Sequence, residues 1–91
     1  MKKVIDGKMY DTETATSIDY MYCGECGSFQ YWYEELYRKK TGEFFLYTFG
    51  GLMTRDPGSR IIPYADEEAQ EWMEIHSSGE LYEEVFGPVD E

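Results

Sequence analysis

The residues of this chain with the most distinctive chemistry are two cysteines and one histidine. Cys23 and Cys26 are two residues apart and precede Gly27, a spacing at which two thiolates can share one tetrahedral zinc ion. A closed structural site needs four ligands, so the pair would have to recruit His76 with a carboxylate, or the cysteines of a second chain. Because two small residues in a tight turn explain the same pattern, no cofactor is expected and zinc at the cysteine pair is the alternative.

Catalysis is not expected from these residues. A redox cysteine pair usually lies at the start of a helix, whereas Cys23 and Cys26 fall between two predicted strands. Cys26 and His76 could act as nucleophile and base only if folding brought them into one cleft. A single histidine and scattered carboxylates provide no acid–base pair, so we expect a protein that is not an enzyme.

The carboxylates are distributed unevenly along the chain. The 91 residues include 19 acidic and 8 basic side chains, giving a net charge of −11, and residues 66–91 contain ten of the acids but no lysine or arginine. This balance disfavours nucleic acid as a direct ligand and favours a basic protein surface. Carboxylates on successive helical turns lie about 5–6 Å apart, close to the spacing of backbone phosphates, so such helices could occupy a nucleic-acid groove on another protein. A solvated helix face is the other interpretation.

Two groups of residues are predicted to bind a protein partner. The first consists of carboxylates on the C-terminal helices: Glu67, Glu68, Glu71, Glu74, Glu80, Glu83 and Glu84. The second consists of Tyr31 and Tyr33 in the aromatic-rich stretch 29–51, because exposed aromatic side chains are typical of protein interfaces.

The stretch 29–51 is predicted to form the central hairpin of the sheet. Thr41 and Gly42 lie between two β-rich runs, which indicates a long hairpin in which Gly42 takes a positive φ and Lys39 faces Glu43. The predicted cross-strand pairs are Tyr37 with Phe45, Glu35 with Tyr47 and Tyr33 with Phe49 on one face, and Arg38 with Phe44, Leu36 with Leu46, Glu34 with Thr48 and Trp32 with Gly50 on the other.

Shorter signals predict the remaining elements. Asp6-Gly7 between apolar residues indicates a small β-ribbon, and residues 16–22 favour a strand. A short strand at Ile61 and Ile62 should end at Pro63, which lacks the backbone donor. Asp66 is the predicted N-cap of a helix over 66–75, and a second short helix covers 80–86.

These elements predict one α+β domain over residues 1–91. Its antiparallel sheet should have about four strands, built around the long aromatic hairpin, with two short C-terminal helices on one face. No apolar run is long enough to span a membrane, and no apolar segment follows the two lysines after Met1. A cytoplasmic protein with reduced thiols is therefore expected.

Four segments of the sequence resemble a group of small acidic proteins encoded on phages, plasmids and integrated elements of Gram-positive gut bacteria. These segments are KKVIDGKMYDTETAT, EELYRKKTGEFFLY, IIPYADEEAQEWMEI and YEEVFG. The cysteine pair does not belong to the pattern, which weakens the zinc interpretation. In size, charge and context such proteins are similar to anti-CRISPR and other anti-defence inhibitors, several classes of which mimic nucleic acid.

The resemblance and the charge together lead to a functional hypothesis. We expect a cytoplasmic protein of the host cell that inhibits a nucleic-acid-binding defence complex by binding it stoichiometrically. Its acidic helices are candidates for a DNA mimic. The alternative is a structural or regulatory module that homodimerises through the aromatic hairpin face, or through zinc shared at the cysteine pair.

Overall fold

A four-stranded antiparallel sheet lies between two helices and a small β-ribbon. The computed structural model describes residues 1–25 and 27–90. The elements are β1 (Lys2–Ile5), β2 (Lys8–Asp11), β3 (Thr16–Cys23), β4 (Trp32–Arg38), β5 (Phe44–Gly50), β6 (Gly58–Tyr64), α1 (Asp66–His76) and α2 (Gly79–Phe86). Strands β3 to β6 follow one another in the sheet in chain order, while β1 and β2 form a separate two-stranded ribbon. The predicted α+β fold is confirmed.

The central hairpin has the predicted register. All seven expected pairs between β4 and β5 are present, from Arg38 opposite Phe44 to Trp32 opposite Gly50. The loop closes because the Gly42 N–H donates to the Lys39 carbonyl at 2.8 Å, and Gly42 has a φ of 95°. A glycine turn of fixed length determines the pairing, and the pairing then determines which side chains share a face.

The larger core lies between the helices and one face of the sheet. Its buried members are Leu36, Phe44, Leu46, Ala69, Trp72 and Met73. A bulge in β3 between Ser17 and Asp19 leaves Ile18 without a pairing partner in β4, and Ile18 packs against this core while pairing continues on both sides of it. We refer to this side of the sheet as the helix face.

The opposite side of the sheet, the ribbon face, is covered only in part. Tyr10 from β2 packs edge-on against Phe45, with ring centroids 5.6 Å apart, and Ile61 completes a small buried cluster. The ribbon itself turns at Asp6 and Gly7, both with positive φ, as the Asp-Gly signal predicts. Its turn-side residue Lys8 forms a 2.8 Å salt bridge with Glu43.

Two local predictions are wrong in detail. Strand β6 does not end before Pro63 but pairs Pro63 with Phe45, because an edge strand accommodates a missing N–H that faces away from the sheet. Asp66 is the first residue of α1 rather than its N-cap, which is Ala65. The Glu68 carboxylate accepts a hydrogen bond from the Ala65 N–H at 2.9 Å, which is half of a capping box.

Within the described residues, no helix is long and apolar enough to cross a membrane.

Candidate partner-binding surfaces

The seven predicted carboxylates all lie on α1 and α2, and all seven are exposed. We call this set the acidic helix surface: Glu67, Glu68, Glu71, Glu74, Glu80, Glu83 and Glu84. In the described part of the chain, none of them forms a salt bridge, since the four ion pairs that are present involve other acids. The surface therefore presents negative charge that no lysine or arginine of the described residues pairs with directly.

Two side-chain hydrogen bonds attach α1 to the sheet. The Trp72 indole Nε1–H donates to Glu34 at 2.8 Å, and the Ser77 hydroxyl donates to Asp19, also at 2.8 Å. Trp72 and Met73 are buried, whereas Glu71 and Glu74, on either side of them, are exposed. Because the inner side of α1 is fixed by packing and by these bonds, the backbone that carries its outer glutamates is held in place on the sheet.

The two helices meet at a groove of about 460 Å³ that contains a carboxylate from each of them. Glu74 of α1 and Glu83 of α2 line this groove, together with the apolar side chains of Met73, Tyr82 and Val89. A groove with an apolar base and two carboxylates is suited to a long basic side chain, whose methylene groups contact the base while its charge meets the acids.

The acidic helix surface is not uniform. Glu84 lines a different groove, whose lining also includes Arg38 and Lys39. Glu68 is engaged with the Ala65 backbone at the start of α1. One apolar side chain interrupts the acids, since Ile75 is 76% exposed.

Aromatic side chains form a second surface, on the uncovered half of the ribbon face. Tyr20 stacks on Tyr33 with ring centroids 6.0 Å apart, and Tyr31 lies 6.4 Å from Tyr22 and 6.3 Å from Phe49. We call this set, with Tyr47, the aromatic sheet surface. Tyr20 and Tyr22 are more than half exposed, and Phe49 is 39% exposed. Contiguous exposed aromatic area of this kind is typical of interaction sites.

A carboxylate in this surface orients one of its rings. The Tyr33 hydroxyl donates to Glu35 at 2.9 Å, and Ser17 donates to the other oxygen of the same carboxylate. Burial, and next the hydrogen bond to Glu35, raise the pKa of Tyr33 well above its usual value. Tyr33 is therefore a neutral donor at physiological pH, and its position is fixed within the surface.

The two predicted groups of partner-binding residues lie on opposite sides of the sheet. The carboxylates are on the helices over the helix face, whereas Tyr31 and Tyr33 belong to the ribbon face. The molecule measures 41 × 33 × 19 Å, with the sheet between the two surfaces. A flat partner can contact one of them at a time, so the acidic and aromatic surfaces are two separate candidate sites.

The candidate metal and catalytic residues are only partly described. Cys23 is exposed at the end of β3, while Cys26 lies outside the described residues, so the predicted zinc pair stays a prediction. The His76 ring packs 4.8 Å from the Trp72 ring, centroid to centroid. Among the residues described, no three His, Cys, Asp or Glu side chains form a group that could hold a metal ion.

Sequence reasoning missed Tyr20, Tyr22 and Ile75 as surface residues. The two-residue period of side chains along β3 could have indicated Tyr20 and Tyr22. Both lie on the same face of the sheet as Tyr33 once β3 pairs with β4. Ile75 was predicted only as the last residue of a helix.

No protein-family model, curated protein sequence or solved structure matches the chain, so the function has to be argued from these surfaces.

Proposed function

We propose that the protein is a stoichiometric inhibitor that binds the basic, nucleic-acid-binding surface of a host defence complex through the acidic helix surface. The supporting observation is the concentration of seven exposed carboxylates on two adjacent helices, without a salt bridge to any described lysine or arginine. Such charge accelerates encounter with a basic surface and opposes binding to acidic ones. In this proposal the helices act as a DNA mimic, and they compete with nucleic acid for the same basic residues.

The mounting of α1 supports a role in recognition. The bonds from Trp72 to Glu34 and from Ser77 to Asp19 hold the helix at both its middle and its end. A helix whose backbone is already ordered loses little backbone conformational entropy on binding. Ile75 provides an apolar contact within the acids that a partner can bury, which charge alone does not provide.

The proposal is tested by reversing charge at two positions of α1. Glu71→Lys with Glu74→Lys is the preferred variant, because both positions lie beyond the first turn, where the helix dipole favours acids. Tagged wild type and variant are incubated with host lysate at low and raised salt. We expect wild type to capture a nucleic-acid-binding complex, and the variant to bind that complex at least about tenfold more weakly.

A matched control separates local charge from net charge. Glu13→Lys with Glu25→Lys makes the same change in net charge at two exposed positions outside the helices, and it should leave capture intact. One equivalent of wild type should also block nucleic-acid binding by the captured complex, and excess duplex DNA should release the inhibitor. Equal loss of binding in both double variants would contradict recognition by the helices, and failure of DNA to compete would contradict mimicry.

A second candidate function is homodimerisation through the aromatic sheet surface. It is favoured by the exposure of Tyr20 and Tyr22, which leaves apolar ring area in water on a side of the sheet with few charges. A second chain that covered these rings would remove that area from solvent. Zinc shared between cysteines of two chains would add to such a dimer.

Molecular mass in solution tests the dimer. Native mass spectrometry and sedimentation at micromolar concentration should give a dimer for wild type, and a monomer for Tyr20→Ser with Tyr22→Ser. Cys23→Ser with Cys26→Ser shows whether metal contributes, because a zinc-linked dimer would dissociate to a monomer and would no longer carry metal. A wild-type monomer at all concentrations would exclude this function and leave the inhibitor proposal untouched.

A further inference from the structure

A cavity of about 490 Å³ opens on the helix face, at the end of the sheet that the helices do not cover. It lies between strands β4 to β6 and the segment 51–57 that joins β5 to β6. Its lining residues are Trp32, Glu34, Leu46, Thr48, Thr54, Arg55, Asp56, Ile62 and Tyr64. The volume falls within the range of small-ligand pockets, and it is large enough for one long side chain.

The bare Cα of Gly50 allows this cavity to form. A side chain at Gly50 would overlap the Thr54 hydroxyl and the Asp56 carbonyl, and it would approach Trp32 to 2.9 Å. Because Gly50 has no side chain, segment 51–57 closes against the strands and brings Asp56 to the rim. Asp56 is already engaged, since it forms a salt bridge with Arg60.

Glu34 is the most informative group in the cavity. Its two carboxylate oxygens accept hydrogen bonds from two indoles, Trp32 at Oε2 and Trp72 at Oε1, both at 2.8 Å. Neutral donors orient the carboxylate but leave its charge uncompensated, and no described lysine or arginine forms a salt bridge with it. Each oxygen retains a further lone pair. The carboxylate therefore keeps acceptor capacity and negative charge that a cationic donor can meet directly.

The walls of the cavity indicate which cation fits. Trp32 and Tyr64 provide aromatic rings on the β4 and β6 sides, and aromatic faces attract cations, planar guanidinium groups in particular. Burial raises the pKa of Tyr64, and the negative charges of Glu34 and Glu68 raise it further, so the field of these carboxylates extends to this wall. The Thr48 hydroxyl is buried in the floor with no hydrogen-bond partner among the described residues.

We propose that this cavity binds a guanidinium group, which donates to the Glu34 carboxylate and contacts the aromatic walls that Trp32 and Tyr64 provide. The group can come from an arginine side chain of another protein or from a small guanidinium compound. The proposal is independent of the acidic helix surface, because its contacts are on the strands. Arg55 at the rim is exposed and forms no salt bridge with a described carboxylate, so it is an internal competitor that needs a control. Arg60 lies on the same face as Glu34, two strands away, but its guanidinium is paired with Asp56.

The two indole N–H groups that hold Glu34 provide a direct measurement. Their ¹H–¹⁵N signals are followed by NMR while methylguanidinium or a blocked Gly-Arg-Gly peptide is added at constant ionic strength. We expect saturable shifts of the Trp32 and Trp72 signals. Similar affinity for both probes assigns the site to any guanidinium compound, whereas binding of the peptide alone assigns it to an arginine side chain. A blocked Gly-citrulline-Gly peptide, which is neutral, should leave both signals unchanged.

Variants locate the binding. Glu34→Gln should weaken binding by about tenfold or more, and Tyr64→Leu, which keeps the carboxylate, should weaken it severalfold. Glu35→Gln is the matched control on the opposite face of the same strand, and it should bind as wild type does. The remaining amide signals show whether each variant is folded.

Three outcomes would overturn the proposal. The first is no saturable shift in wild type, including the case in which binding appears only after Arg55→Gln. The others are equal shifts with the citrulline peptide and unchanged affinity in a folded Glu34→Gln variant.

Discussion

The two faces of the four-stranded sheet are covered in different ways. On the helix face, six buried residues form one cluster, and indole and hydroxyl donors bind α1 to carboxylates of the strands. On the ribbon face, the buried cluster has three members, and the ribbon is held at its turn by the exposed Lys8–Glu43 salt bridge. The helices cover one face of the sheet well, and the ribbon covers only half of the other. The uncovered half is the aromatic sheet surface, which is therefore available for binding.

The largest expected effect distinguishes the covered from the uncovered half of the ribbon face. Phe45 and Phe49 lie on the same face of β5, but Phe45 is fully buried under the ribbon and Phe49 is 39% exposed. Phe45→Ala should lower the free energy of unfolding by about 3–5 kcal/mol, because it leaves a cavity that the ribbon cannot fill. Phe49→Ala should cost about 1 kcal/mol or less. Urea denaturation monitored by circular dichroism measures both values.

Similar costs for the two variants would show that the ribbon contributes no core of its own. Exposed Tyr22→Ala on the edge strand β3 serves as a further reference, with an expected cost near that of Phe49→Ala.

A smaller effect is expected from the polar attachment of the helix face. Trp72→Phe keeps an aromatic ring in the core but removes the indole donor to Glu34. We expect a loss of about 1–3 kcal/mol, which combines the lost hydrogen bond to a charged group with the smaller buried area. Equilibrium unfolding in urea provides the measurement.

Trp32→Phe is the matched variant, because Trp32 donates to the same carboxylate from within the sheet. The Trp32→Phe variant should lose one hydrogen bond to Glu34 but keep the bond that attaches α1 to the sheet. Only Trp72→Phe should therefore increase the rate of amide hydrogen exchange in α1. Exchange in α1 that stays at the wild-type rate in both variants would argue against this attachment.

The smallest effect concerns the salt bridge at the ribbon turn and depends on pH. Hydrogen bonds from Lys8, then Lys39 and Thr41, lower the pKa of Glu43 to about 2, from an ordinary value of 4.5. Since the folded protein binds this proton more weakly than the unfolded chain, the contribution is complete above about pH 5. It is lost as the pH falls from 4.5 towards 2.

The difference in unfolding free energy between wild type and Glu43→Gln isolates this contribution. We expect a small difference at pH 7 that declines through the window from pH 4.5 to 2 and vanishes below it. A difference that is independent of pH would assign the effect of Glu43→Gln to packing. It would argue against an ionic contribution of the Lys8–Glu43 salt bridge to stability.

The hairpin register could be predicted because local chemistry decides it. The turn at Thr41 and Gly42 fixes the loop length, and a strand has a period of two, so one correct turn orders all seven pairs. The helix boundaries were predicted nearly as well, since Ser77 and Gly87 end amphipathic runs. These features depend on residues that are close in sequence.

The candidate sites depend on distant residues, and they were harder to predict. Glu34 was placed opposite Thr48 correctly, but its bond with Trp72 joins residues 38 positions apart and has no local signal. The separation of the carboxylates from Tyr31 and Tyr33 follows from which face the helices cover. The sequences of β4 and β5 do not indicate which face the helices cover, because both faces of the hairpin include large apolar side chains.

The order of the strands has a consequence for how the chain folds. Because β3 to β6 are neighbours in the sheet in the same order as in the sequence, each strand can pair with the one before it by closing a short loop. Chains dominated by such local contacts have low contact order and tend to fold rapidly. The bond from Ser77 to Asp19 spans 58 residues, so its closure requires the sheet to exist first. The acidic helix surface should therefore be the last region to reach its native position during folding.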